Sequence, residues 1–103
     1  MSKFVFVYHG GNAEASTASP DEIMAAWGAW FGSLGEAIVD GGNPTGQAKT
    51  VGANGVVGGG GANPITGYSL IDAPSLDAAV AMAGGCPVLK SGGTVEVAET
   101  FDM

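Results

Sequence analysis

One histidine, one cysteine and ten acidic residues bound the chemistry that this 103-residue chain can perform. Histidine is the one side-chain type that changes charge near neutral pH unaided, and His9 is the only one present. It ends the apolar run Phe4-Val5-Phe6-Val7-Tyr8 and precedes Gly10-Gly11-Asn12. At a strand end beside a flexible loop, such a ring can serve as a general base or hold a ligand. The same position also suits an imidazole bonded to a backbone carbonyl. Glu96 alternates with Val95 and Val97, so on a strand it faces away from them. A carboxylate there can pair with His9, hold a polar group of a substrate, or reach water.

Aromatic side chains supply the remaining candidates. Trp27 falls within the apolar stripe of a helix and reads as core. Trp30 lies at the edge of that stripe and is the expected ligand contact, together with Tyr68 and Glu96 as substrate-binding residues. Cys86 has no second cysteine and no adjacent cation, so it reads as an inert buried thiol. The glycine run from Gly58 to Gly61 lacks the Lys-Ser/Thr pair that completes a phosphate loop. One histidine and one cysteine make no histidine- or thiolate-rich metal site. No cofactor is expected.

The elements that must position these groups belong to one domain spanning residues 1–103. Apolar residues make up 46% and charged residues 13%, which excludes a disordered chain. The net charge is −7, with only Lys3, Lys49 and Lys90 opposing ten acids. That deficit argues against nucleic acid, whose phosphates need a basic surface, and against anionic membranes. No apolar stretch is long enough to span a membrane, the first residues do not read as a signal peptide, and a lone cysteine suits a reducing compartment. A cytoplasmic protein is expected.

Residues 3 to 8 are β-branched or aromatic throughout and predict a first strand, apolar on both faces. Ser19-Pro20-Asp21-Glu22 predicts a helix start with a capping box. Ile23, Trp27, Trp30, Phe31, Leu34 and Ile38 recur at helical spacing behind it and, with Met24, form one stripe. The opposite side carries Gly28 and Gly32, each costing roughly 1 kcal/mol in a helix, which leaves either a tolerated bland surface or close packing there by the Phe101 segment or a neighbouring subunit. Ile38-Val39 predicts a short strand, and Asn54-Gly55 a two-residue hairpin turn. Residues 65 to 72 predict another strand. Ser75 caps a second helix with Leu76, Ala79, Val80 and Ala83 on one face, and residues 94 to 98 form the last strand. Two helix crossovers joining strands of one sheet give an α+β, ferredoxin-like βαββαβ order with an extra hairpin. Both helices then cover one sheet face and leave the other bare, which a second copy would cover.

The chain resembles the YCII-related family, whose shorter-named branch carries an Asp-Gly-Pro-Phe signature. The resemblance rests on Phe4-Val-Phe-Val-Tyr-His9, Met24-Ala-Ala-Trp-Gly-Ala-Trp-Phe31, Val39-Asp-Gly-Gly-Asn-Pro44 and Gly67-Tyr-Ser-Leu-Ile-Asp72. It continues through Ser75-Leu-Asp-Ala-Ala79, Cys86-Pro87 and Gly93-Thr-Val-Glu-Val97. It implies a homodimer whose sheets face each other as a dimeric α/β barrel, with a cavity beside the interface. Two departures matter. Gly58-Gly-Gly-Gly-Ala-Asn-Pro64 stands where relatives carry Asp-Gly-Pro-Phe and a polar stretch. His9 and Trp30 stand where some relatives pair an aspartate with a helix histidine, so their catalysis does not carry over.

The resulting expectation is a homodimer that holds a small, mostly apolar molecule. If it acts on that molecule, His9 moves the proton. The alternatives are a non-catalytic sensing or interaction module, and a cofactor-free oxygenase by analogy of fold alone.

Overall fold

A computed structural model describes residues 2–10 and 19–102. The strand stop expected at Gly10-Gly11-Asn12 agrees with the end of β1 at His9, while Gly11 and Asn12 lie outside the described residues. The order is β1 (Ser2–His9), α1 (Pro20–Leu34), β2 (Ile38–Asp40), β3 (Lys49–Gly52), β4 (Gly55–Gly58), β5 (Ile65–Ala73), α2 (Leu76–Ala83) and β6 (Thr94–Glu99). Short 3-10 turns at Gly35–Ala37 and Pro87–Ser91 join α1 to β2 and α2 to β6. Four strands form one antiparallel sheet in the order β2-β5-β1-β6. The architecture is α+β and compatible with the ferredoxin-like pattern. β3 and β4 form a two-stranded sheet of their own, with Val51 opposite Val56 and Gly52 opposite Gly55.

Local signals account for the helix boundaries. The Ser19 hydroxyl oxygen accepts the Glu22 N–H at 3.2 Å and donates to the Glu22 carboxylate at 3.1 Å. Pro20 occupies the first turn, where its missing N–H costs nothing. Gly35 ends α1 at φ +56°. Ser75 caps α2 by accepting the Ala78 N–H at 3.1 Å.

Strand alternation sets the core. Phe4, Phe6 and Tyr8 of β1 and Ser69, Ile71 and Ala73 of β5 are buried on the face that meets Trp30, Ala79 and Ala83 of the helices. Val5, Val7 and Leu70 point the other way and are only half-buried. The molecule is 19 Å thick, which is one sheet with one layer of helices. Among the described residues, no helix is long and apolar enough to cross a membrane.

Two expectations change. α2 seats itself through Ala79 and Ala83, while Leu76 and Val80 stay about half exposed. Small side chains let that helix approach the sheet closely, which turns the larger ones outward. The bland side of α1 is not packed within the protomer. No atom beyond the neighbouring helix backbone comes within 4 Å of where a side chain at Gly28 or Gly32 would begin, and Phe101 is 79% exposed rather than laid over them.

Candidate functional site

A cavity of about 570 Å³ opens between α1 and the adjoining ends of β1 and β5, on the helix side of the sheet rather than on the bare face where the resemblance implied one beside a dimer interface. That volume lies in the range of small-molecule sites. α1 contributes Met24, Trp27, Gly28 and Phe31, the sheet contributes Tyr8, Gly67 and Tyr68, and the loop after β2 contributes Gly41 to Pro44. The rings are arranged as a row at steep angles. Tyr8 meets Trp27 edge-on at 5.0 Å, and Trp27 meets Phe31 at 5.8 Å.

The loop at residues 41–44 is fastened at several points. The Asp40 carboxylate accepts the Gly42 N–H at 2.8 Å, and the Ser69 hydroxyl donates to the Gly41 carbonyl at 2.7 Å. Tyr8 in turn donates to Ser69 at 2.8 Å, so a buried hydroxyl chain ties β1, β5 and the loop together. The Tyr68 N–H reaches the Asn43 carbonyl at 3.3 Å, and the Thr45 N–H reaches Thr66 at 3.0 Å. Ser69 is fully buried, and these two bonds satisfy it. Burial pushes the Tyr8 hydroxyl up to about 12, against the smaller opposing effect of Ser69. Tyr8 is thus a fixed donor at neutral pH.

His9 and Glu96 come together as strand alternation requires. Glu96 lies opposite Val7 on β6, and its carboxylate meets the His9 Nε2 at 3.0 Å. The other ring nitrogen faces the Asn63 carbonyl at 2.9 Å and the Pro64 carbonyl at 3.3 Å. Each of these partners takes up a ring nitrogen, and which nitrogen donates depends on the tautomer. A ring nitrogen that donates has no lone pair for a substrate proton. His9 is also absent from the described residues that line the cavity, being turned to the opposite face from Tyr8. It fastens the segment before β5 to β1 and β6. His9→Gln is expected to lower the thermal midpoint by roughly 4–8 °C, about 1 kcal/mol of lost hydrogen bonding in a domain this small. The loss stays modest because Glu96 is 66% exposed and water can replace the ring there. A melting scan checks this.

The tryptophans exchange the positions expected of them. Trp30 is 6% exposed and donates its indole N–H to the Met82 carbonyl at 3.0 Å. It does not line the cavity, whereas Trp27 does. Three residues of helix leave Trp27 and Trp30 only about 60° apart around the axis, so tertiary packing decides the assignment. Tyr68 is among the residues at the cavity, but its register opposite Val7 turns its side chain toward the helix-free face, and it receives a long bond from the Asn43 amide at 3.4 Å. Asn43, Phe31 and Gly28 belong to the site without having been expected there. The signal that could have found the loop was Asp40-Gly-Gly-Asn-Pro44, too flexible and too polar to be core yet directly after a strand.

Burial pushes the Cys86 thiol up to about 11, which leaves it protonated and unreactive at neutral pH. The described residues contain no group of three histidine, cysteine, aspartate or glutamate side chains that could hold a metal ion. No family model matches the chain, and no curated protein matches it by sequence.

Proposed function

We propose that this chain binds a small, mostly apolar molecule in the cavity beneath α1, as a homodimer of the YCII-related kind. The observation that carries the binding reading is the cavity itself. Its walls are aromatic, and the loop that closes it is fastened before any ligand arrives. A preformed apolar pocket with few polar groups is the usual form of a small-molecule site. N-Phenylnaphthylamine, which brightens on leaving water, is expected to bind with one site per chain. Trp27→Ala is expected to weaken that binding about tenfold while the far-ultraviolet dichroism is unchanged. Dye that binds without saturation, or binds equally well to Trp27→Ala, would overturn the reading.

The dimer is supported by the half-buried Val5, Val7 and Leu70 on the sheet face that carries no helix. A two-fold pair would cover that face with its own copy. Light scattering is expected to give about twice the 10.1 kDa chain mass. Val7→Asp should give folded monomer, because the side chain leaves the protomer core intact but would bury an unpaired charge in the pair. A monomeric parent protein would remove the dimer.

The His9–Glu96 pair favours a second reading, in which proton transfer occurs on the helix-free face. It requires the ring to release one of its carbonyl or carboxylate partners when substrate arrives. Turnover lost in both His9→Gln and Glu96→Gln would support it. Oxygen consumption would distinguish a cofactor-free oxygenase from other proton-transfer chemistry, and binding without turnover marks a sensing module.

A further inference from the structure

We infer that Gly28 is the residue that admits the ligand to the cavity, and that this ligand is an uncharged aromatic molecule; this rests on the cavity reading above. Met24, Trp27, Gly28 and Phe31 line the cavity at positions i, i+3, i+4 and i+7, which is one face of α1. At about 100° per residue, Trp27 lies on the side of that face nearest Trp30, Phe31 and Met24 follow, and Gly28 lies farthest round. Exposure runs in the same order. Trp30 is buried, Trp27 and Phe31 are half-buried, Met24 is 74% exposed and Gly28 is exposed. Gly28 and Met24 therefore stand at the mouth.

Neither backbone nor packing calls for glycine at that position. Gly28 lies inside the helix with no positive φ, and open space surrounds the point where a side chain would begin. A glycine inside a helix costs stability relative to alanine. A local rule broken without structural return is expected where function needs it, and here the missing side chain keeps the mouth open. Gly32 has equally open surroundings but lies outside the described lining, so it serves as a control.

The walls set the chemistry of the guest. The described lining contains no aspartate, glutamate, lysine or histidine, so an ion of either sign would be buried without a counter-charge. Two of its polar side chains are engaged already, since Tyr8 donates to Ser69 and the Asn43 amide donates to Tyr68. Ring surface is what remains. Tyr8 meets Trp27 at 85° and Trp27 meets Phe31 at 48°. A further ring joins that row edge to face or offset, a gain from ring quadrupoles that saturated carbon lacks.

The test uses N-phenylnaphthylamine as reporter and four competitors built on one carbon skeleton: naphthalene, its saturated counterpart decalin, naphthoate and naphthylmethylammonium. Naphthalene is expected to displace the dye at the lowest concentration. Decalin should need several-fold more, and each ion about tenfold more or beyond. Gly28→Leu is expected to weaken the dye itself by about tenfold, and the smaller Gly28→Ala by about threefold, with the far-ultraviolet dichroism unchanged. Gly32→Leu should bind as the parent does. Decalin or either ion competing as well as naphthalene would overturn the ligand class. Undiminished binding by both Gly28 variants, or an equal loss in Gly32→Leu, would overturn the role of Gly28. Each of these results leaves the cavity reading intact, whereas a parent protein that binds no dye overturns that reading and this inference with it.

Discussion

Trp30→Ala is expected to destabilise the domain by about 3–5 kcal/mol, the range for deleting a large buried aromatic side chain. The ring stacks on Phe6 at 6.1 Å with an 18° interplanar angle and meets Tyr8 at 6.3 Å. It also lies against Gly85, where a side chain would begin only 3.2 Å from the indole. Removal would leave a cavity at the junction of both helices and the sheet, and would free the Met82 carbonyl from its only side-chain donor described here. Small domains hold only about 5–15 kcal/mol in total, so much of the fold's stability rests on this one residue. Urea unfolding followed by circular dichroism measures it. Trp27→Ala should cost clearly less, since Trp27 is half-buried. A loss below about 1 kcal/mol for Trp30→Ala would mean that the core had been misassigned.

Gly42→Ala is the second large effect, because two independent constraints meet there. The residue has φ +72°, in the left-handed region, which costs an L side chain roughly 1–2 kcal/mol. A Cβ built on it would also stand 1.8 Å from the Tyr68 carbonyl oxygen. That oxygen belongs to a paired strand and cannot swing aside, so the loop must move. The expected loss is about 2–4 kcal/mol, with binding of N-phenylnaphthylamine weakened beyond measurement because the displaced loop is one wall of the cavity. Gly41→Ala is the control. It has no positive φ and open space around it, so its thermal midpoint should hardly change. Calorimetry on the two variants separates loop geometry from a general intolerance of side chains.

The parts of this fold that were legible in the sequence are those where local chemistry decides. Ser19-Pro20 and Ser75 start helices because their first backbone amides need partners nearby, and the hairpin itself was legible, although its two turn residues are Ala53-Asn54 rather than Asn54-Gly55, since Gly55 pairs with Gly52. The His9–Glu96 pairing was also legible, since alternation along two strands puts both on one face. Which face of β1 meets the helices was not. Phe4-Phe6-Tyr8 and Val5-Val7 are both apolar, so no pattern ranks them; the fit against Trp30 and the helix alanines does. Ser69 gave no sign of a core position, because its burial depends on Tyr8 and Gly41, which are far away in sequence. The Pro87–Ser91 turn, which delivers Val88 to the core, is likewise fixed by what it packs against.

The β3–β4 hairpin has a consequence for how the molecule opens and for what it tolerates. All of its residues from Lys49 to Gly58 are exposed, including Val51, Val56 and Val57. Beyond its own ladder it is fastened near its base by the Gly59 N–H on the Ala48 carbonyl and the Thr50 hydroxyl on the Gly59 carbonyl. A two-stranded ribbon alone in water is marginal. Its amides should therefore exchange with deuterium long before those of β1 and β5, in a local event that leaves the four-stranded sheet closed. Its tip at Ala53-Asn54 is correspondingly the place where the polypeptide can be cut or a foreign segment spliced in at the least expense to the rest of the fold.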